Sequence, residues 1–235
     1  MIQNTNKNTN KIYITRHGQT IWNIQKLYQG HLNSDLTPTG INQAMAIGKF
    51  LKDKNITQIY YSPLERVVQT KNLIVEQFED KEKMQNNLKN NIQSIPQTPD
   101  DRLKECNYGE LEGKSEATLH DNLLKIGIDR KDLNTKLNWK FPKGENYNQV
   151  FERVESFVSE ILLNKNQKDQ KIIQKTEEAT LIVGHCGTTR CLWAILNNIT
   201  RLEAMKYKPN NGELICYDTT TKLCEIIDFN KNILK

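Results

Sequence analysis

Two histidines in this sequence follow apolar segments, and each has arginine or glycine beside it. His17 comes after the apolar run 12–14 and next to Arg16, while His185 follows the apolar run 180–184 in the stretch GHCGTTR. An imidazole can act as nucleophile, acid or hydrogen-bond donor, and a guanidinium presents paired N–H groups that match phosphoryl oxygens. With Arg66 as a second arginine, these residue types predict a phosphate site if the fold brings them together.

The same residues would allow phosphate esters to be hydrolysed in two steps. Uncatalysed hydrolysis of phosphate monoesters is extremely slow, so an enzyme gains by transferring the phosphoryl group to a side chain and then to water. A neighbouring arginine disfavours the imidazolium, which would keep a nitrogen of His17 free to attack. The sequence has no Walker loop, magnesium-type aspartate cluster or H-E-x-x-H helix, and the spacing of Cys186 and Cys191 fits zinc poorly, so we expect no metal.

The leaving group also needs a proton, for which the loop RLKECNYGELEG offers three carboxyl groups. Glu105 directly follows a predicted strand, and a bound dianionic phosphate facing it would favour its protonated form. Glu110 and Glu112 lie in the same loop, and the residues alone barely separate the three.

Alternation of apolar strands and amphipathic helices predicts an α/β fold with a mainly parallel sheet and helices on both faces. Thr37 and Pro38 are typical of a helix start, and Ser62 with Pro63 predicts another. We expect a long polar loop from the end of the first strand to about residue 36, a turn at 184–187 and an irregular segment at 127–144. The predicted strands are 11–15, 56–62, a short one within 94–105, 180–184, 213–218 and 223–228, and the main predicted helices are 38–53, 62–75, 115–126 and 145–164. Ligands in such sheets bind beyond the carboxyl ends of the strands, where both histidines would lie.

Length and composition predict one cytoplasmic domain. Of 235 residues, we expect 1–10 to form a disordered tail and 11–235 a single domain, with polar linkers at 80–94 and 164–178 and a lid for substrate specificity at 106–145. The net charge of +5 comes from scattered lysines, which argues against nucleic-acid binding. Five cysteines without framework spacing, and no signal-peptide or membrane-spanning run, predict a reduced, cytoplasmic protein that does not bind membranes.

Several motifs in fixed order resemble the histidine phosphatase superfamily, in its phosphoglycerate mutase-like branch. They are RHGQTIWN (16–23), GHLNSDLTPTGINQA (30–44), SPLERVVQT (62–70), LKECNYGELEG (103–113), GEN (144–146) and GHCGTTR (184–190). A lone R-H-G is weak evidence, but their order and spacing match from about residue 11 to 218. The resemblance implies a three-layer α/β/α sandwich.

The resemblance also implies a role for each site residue. His17 would carry a transient phosphohistidine, and Glu105 would donate the proton. The phosphate pocket would be formed by Arg16, Asn23, Arg66 and His185, and the substrate side would be lined by Gln29 and Gly30. Taken singly, each has a structural alternative: Asn23 can cap a turn, and Arg66 can lie on a solvated helix face. Gly184 and Cys186 depart from the S-H-G-G that the family usually shows around its second histidine.

The resemblance leaves the reaction open between two enzymes that share the phosphohistidine. Cofactor-dependent mutases carry a proline-rich insert after the acid motif, whereas 114–144 contains Pro142 alone. This favours a metal-independent phosphatase of small phosphorylated metabolites, without a cofactor. The alternative is a phosphoglycerate mutase, which would use 2,3-bisphosphoglycerate. A catalytically silent regulatory member is a weaker alternative, for which Cys186 is the only local reason.

Overall fold

The structure, a computed structural model, describes residues 11–78, 95–163 and 178–233. These residues contain a six-stranded sheet in the order β3-β2-β4-β1-β5-β6. The strands are β1 (Lys11–Arg16), β2 (Ile56–Tyr61), β3 (Gln97–Pro99), β4 (Ala179–Gly184), β5 (Glu213–Asp218) and β6 (Cys224–Asp228). Strands β1 to β4 run parallel to one another, whereas β5 is antiparallel to both of its neighbours, β1 and β6. The predicted mainly parallel α/β sheet is confirmed.

Helices cover both faces of the sheet. They are α1 (Ile21–Gln25), α2 (Pro38–Leu51), α3 (Glu65–Glu76), α4 (Glu116–Leu124), α5 (Leu133–Asn138), α6 (Tyr147–Phe157), α7 (Cys186–Leu196), α8 (Arg201–Ala204) and α9 (Asn230–Ile233). Two buried apolar clusters show the layering, since α2 and α3 pack with Tyr13 on one face while α6 and α7 pack with Ile12 and Ile14 on the other. Successive β1 side chains thus enter opposite cores, as the alternation of a strand requires.

Helix boundaries follow local capping where the chain supplies it. Thr37 accepts the Gly40 N–H and precedes Pro38, so α2 starts where the sequence predicts. The predicted start at Ser62 is wrong, because α3 begins at Glu65 after Leu64. The turn predicted at 184–187 is also shorter than expected, since α7 begins at Cys186 with His185 as its N-cap residue.

The chain also forms short helices in segments that the sequence analysis treats as loops. Helix α1 interrupts the polar loop that follows β1, and α5 interrupts the segment 127–144. Helix α1 has no buried residue and α5 has only Leu137, so neither shows the apolar periodicity that reveals a helix.

Other predictions of the sequence analysis concern segments beyond the description. The tail 1–10, the linker 80–94 and most of the linker 164–178 lie outside the described residues. None of the helices in the described part of the chain combines the length and apolar character needed to cross a membrane.

Candidate active site

The register of β1 against β4 places the two strand-end histidines side by side. Arg16 lies opposite Gly184, and the His17 N–H donates to the Gly184 carbonyl at 2.9 Å. The imidazole rings of His17 and His185 meet edge to face with 5.3 Å between centroids. Both side chains are buried. The sheet therefore brings together two groups that are 168 positions apart in the sequence.

The His17 ring is oriented so that one nitrogen remains available. Nδ1 lies 2.8 Å from the Gly18 carbonyl oxygen. Because a carbonyl only accepts hydrogen bonds, Nδ1 carries the proton and Nε2 keeps its lone pair. Burial lowers the pKa of His17 well below 6.5, and the charges of Arg66 and Arg16 lower it further. The ring is thus neutral near pH 7, with burial rather than the arginines as the larger cause.

Hydrogen bonds from distant residues hold the backbone around His17. The Gly18 N–H donates to Thr70 Oγ1 at 3.0 Å, and Asn211 Nδ2 donates to the His17 carbonyl at 2.7 Å. These contacts join α3 and the segment before β5 to the end of β1. We expect them to limit movement of the imidazole.

His185 is held by a serine from the neighbouring strand end. Its Nε2 lies 2.8 Å from Ser62 Oγ, and burial lowers its pKa, followed by the charges of Arg66, His17 and Arg16. From the sequence Ser62 is predicted only at a helix start, and its contact with His185 is not predicted. A small polar residue directly after β2, on the same edge of the sheet as His17, is the signal that could have revealed it.

Two arginines line this pocket and each keeps one buried donor without a partner. Arg66 is fully buried and donates from Nη1 to Leu32 O and from Nη2 to Gly30 O, both at 2.7 Å. Arg16 donates from Nη1 to Pro209 O at 3.2 Å. The Nε atoms of both arginines are buried and have no hydrogen-bond partner among the described residues. Buried donors are normally paired, so the two Nε groups suit a ligand with acceptor oxygens.

Charge in the pocket is positive. Burial lowers the pKa of Arg66 to about 10, with Arg16 lowering it and Glu105 opposing the change, so the guanidinium stays charged near pH 7. Two neutral imidazoles beside two guanidiniums favour a dianionic phosphate over a neutral ligand.

Geometry distinguishes the three candidate acids. Glu105 is buried, and its Oε1 accepts N–H groups from Cys106 at 2.8 Å and from Gly187 at 3.1 Å. Gly187 is two residues after His185, which places this carboxyl beside the second histidine. An added Cβ at Gly187 would lie 2.3 Å from Glu105 Oε1, so this approach requires glycine.

The other two glutamates are engaged elsewhere. Glu112 accepts the backbone N–H groups of His31, Leu32 and Tyr108. Glu110 pairs at 2.6 Å with Lys143 on the surface, and the hydrogen bond to that lysine lowers the pKa of Glu110. Neither carboxyl makes a described contact with His17 or His185.

The remaining predicted residues make structural contacts around the pocket. Asn23 Oδ1 accepts the Thr20 N–H at the start of α1, which leaves its Nδ2 group as the donor for a ligand. Gly30 has φ of +53° and its carbonyl holds Arg66, while an added Cβ there would overlap the Glu112 carboxyl. Gln29 is buried, and its Oε1 has no partner among the described residues.

Comparison with known proteins identifies the family. Residues 12–232 match the Histidine phosphatase superfamily (branch 1). The chain belongs to this superfamily.

Relatives of this histidine phosphatase include both phosphatases and mutases. The chain is 26% identical to a putative phosphoserine phosphatase 2 of Hydrogenobacter thermophilus, over 80% of this chain and 79% of the relative. It is also 26% identical to a 2,3-bisphosphoglycerate-dependent phosphoglycerate mutase 2 of Latilactobacillus sakei, over 91% and 95%. The solved α-ribazole phosphatase of Shigella flexneri has the same fold, with 23% identity, a TM-score of 0.69 and coverage of 93% and 95%. The chain is therefore an enzyme of the phosphatase and phosphoglycerate mutase family.

Of the two departures from the family's usual S-H-G-G, Gly184 accepts the His17 N–H, and Cys186 directly follows His185. The thiol is partly buried, and Arg190 Nη2, one helical turn on, lies 3.8 Å from its Sγ. The search of the described residues finds no group of three His, Cys, Asp or Glu side chains able to hold a metal ion.

Proposed function

We propose that this histidine phosphatase hydrolyses phosphomonoesters of small metabolites through a phosphohistidine on Nε2 of His17. The observation that carries the proposal is the His17 ring itself, which is neutral and donates its only N–H to Gly18. Its lone pair therefore points away from that carbonyl and is available to a phosphorus atom. Once Nε2 is phosphorylated the ring is cationic, and the hydrogen bond to the Gly18 carbonyl stabilises that charge.

The phosphoryl oxygens would be bound by the donors that surround the nucleophile. We assign this role to the Nε groups of Arg16 and Arg66, to His185 and to Asn23 Nδ2. Both Nε groups are buried and find no hydrogen-bond partner within 11–78, 95–163 and 178–233, which supports this assignment. The charge that develops on the phosphoryl group in transfer would thus meet fixed donors in a buried site, where such donors act most strongly. Gln29 and Gly30 would shape the substrate side.

Glu105 would move the proton in both steps. In the first, Nε2 attacks phosphorus, the ester P–O bond breaks, and the leaving oxygen takes the Glu105 proton. In the second, the Glu105 carboxylate takes a proton from water, the hydroxyl attacks phosphorus, and the N–P bond breaks to release phosphate and restore His17. No step in this cycle needs a metal ion or another cofactor.

We favour hydrolysis over mutase activity because of the segment 106–145. Its part from 114 to 144 has one proline, Pro142, and includes the two short helices α4 and α5. We also propose that 106–145 is the lid that selects the metabolite, which is supported by Trp139, Phe141, Pro142 and Gly144 in its irregular part. We also propose a cytoplasmic location, which is supported by the five cysteines, all free of disulfides.

A panel of phosphate esters, assayed with and without 2,3-bisphosphoglycerate, tests the function. Free phosphate in both conditions supports the phosphatase, while isomerised phosphoglycerate formed only with the bisphosphate shows a mutase. Absence of both products shows a silent protein. His17→Ala should abolish turnover and the acid-labile phosphoryl group on the protein. Appreciable turnover by His17→Ala would exclude the nucleophile assignment.

A further inference from the structure

The segment 144–146, one of the family motifs, has no part in the phosphate chemistry above, yet it is hydrogen-bonded to the loop that carries Glu105. The Glu145 N–H donates to the Asn107 carbonyl at 2.8 Å, and the Asn107 N–H donates to Glu145 Oε2 at 2.9 Å. An added Cβ at Gly144 would lie 2.2 Å from the Asn107 oxygen, so glycine is required for this close approach. Glu145 therefore binds the backbone two residues after Glu105.

Arg153 of α6 binds the same loop on the other side of Glu105. It donates from Nη1 to Arg102 O at 2.6 Å and from Nη2 to Glu105 O at 3.0 Å. Its Nε and Nη2 also donate to the two carboxylate oxygens of Glu145 at 3.0 and 3.1 Å. This forked geometry is specific to arginine, since lysine cannot reproduce it.

We propose that the Glu145–Arg153 ion pair is a positioning pair that holds the Glu105 carboxyl at the reacting phosphate ester. This inference rests on the proposed role of Glu105 as the acid. The pair fixes the carbonyl of Glu105 and the N–H of Asn107, which are the two ends of the short backbone stretch around Cys106. In the described part of the chain, the partners of the Glu105 carboxyl are the backbone N–H groups of Cys106 and Gly187, so its placement depends on that of the backbone.

The charge of the pair fits this role. A lone guanidinium beside an acid would favour the ionised carboxyl and oppose proton donation. Glu145 balances Arg153, so the loop receives several strong hydrogen bonds without a net charge. The side chains of Arg153 and Glu145 are 18% and 23% exposed, which shields the pair from solvent and makes its geometry better defined than that of a surface pair.

Arg153→Lys tests the inference through its dependence on the leaving group. We expect kcat/KM for an alkyl phosphate to fall about 10- to 100-fold, because a misplacement of about 1 Å has effects of this size. For nitrophenyl phosphate, whose leaving group needs no proton, kcat/KM should stay within about threefold, because it reports only phosphoryl transfer to His17 and not the later attack of water. Arg201→Lys is the matched control, because Arg201 forms a similar forked pair with Glu155 of α6 without touching the Glu105 loop. Both values of kcat/KM should be unchanged in it.

A double variant separates positioning from general destabilisation. With Glu105→Gln already present, Arg153→Lys should cause no further loss on the alkyl phosphate, since the group it positions is gone. Equal losses on both substrates in Arg153→Lys, or full additivity in the double variant, would overturn the inference. If Arg153→Lys does not fold, Glu145→Gln provides the same comparison, because glutamine keeps an acceptor for the Asn107 N–H.

Failure of the positioning role can be distinguished from failure of the proposed role of Glu105. If Glu105→Gln alone shows no leaving-group dependence, the assignment of the acid fails and the inference fails with it. If Glu105→Gln shows that dependence and Arg153→Lys does not, only the positioning role is overturned.

Discussion

Replacing Glu105 by glutamine removes the proposed proton donor while keeping the shape of the site. Glu105 Oε1 accepts the Cys106 and Gly187 N–H groups, and the glutamine Oε1 can accept both. Gly187 N lies 3.3 Å from Oε2, the position that the new Nε2 would take, so this weaker contact is lost. We expect the variant to fold, with the free energy of unfolding changed by about 1 kcal/mol or less.

The expected loss of activity follows from the chemistry of the leaving group. General acid catalysis contributes about 10²- to 10⁴-fold, which corresponds to about 3 to 5 kcal/mol in the activation barrier. The variant should lose this amount on an alkyl phosphate, whose leaving oxygen is strongly basic. On nitrophenyl phosphate, whose leaving group departs without a proton, kcat/KM should fall less than about tenfold, because kcat/KM reports phosphoryl transfer to His17 and not the later step in which Glu105 takes a proton from water.

Steady-state release of phosphate from a series of esters measures this directly. A plot of log kcat/KM against leaving-group pKa should be steeper for Glu105→Gln than for the wild type. Parallel lines would refute the reasoning. We do not expect another carboxyl of this loop to replace Glu105 as the acid, because Glu112 binds three backbone N–H groups and Glu110 pairs with Lys143 at the surface. Glu112→Gln is therefore the control, and its slope should match the wild type.

Three further predictions concern pH, the pocket arginine and metals. Burial lowers the pKa of His17 and His185 below 6.5, so the unfolded chain binds more protons and stability should fall as pH drops below about 6.5. Urea titrations at several pH values give the slope of the free energy of unfolding against pH, and His17→Asn should reduce this slope by up to about 1.4 kcal/mol per pH unit. An unchanged slope would contradict the lowered pKa of His17. In Arg66→Lys the amine cannot donate to both the Leu32 and the Gly30 carbonyl, so the free energy of unfolding should fall by about 1–3 kcal/mol and phosphate should bind more weakly. Urea denaturation and phosphate titrations that match the wild type would contradict this prediction. EDTA should not change turnover, and inactivation reversed by zinc or magnesium would disprove the mechanism.

The main elements of the fold could be predicted because their signals are local. Thr37 and Pro38 mark the start of α2, and the apolar runs of β1 and β4 end just before the two histidines. Helix α1 could not be predicted, since it has no buried face and is held by capping contacts of Thr20 and Asn23. Such contacts resemble those of an ordinary turn in sequence.

The contacts that distinguish the site residues join segments far apart in the sequence, so they could not be predicted from it. The three glutamates of one loop differ in which backbone groups they reach, and Gly187 lies 82 positions from Glu105. Ser62 is equally ambiguous in sequence, because its hydrogen bond is to His185, 123 positions away. Local pattern carries no information about such pairings.

The sequence by itself determined which reactive groups are present and that two histidines stand at strand ends, because strand ends and helix caps depend on neighbouring residues. The tertiary structure decided that the rings of His17 and His185 meet, that burial lowers the pKa of both, and that the Glu105 carboxyl accepts the N–H of Gly187, two residues after His185. The physical reason is that strand register and desolvation depend on atoms far away in the chain. Arg66 is an example of both contributions. The sequence determines its charge, but that charge lowers the pKa of His17 only because α3 places Arg66 in the same buried pocket.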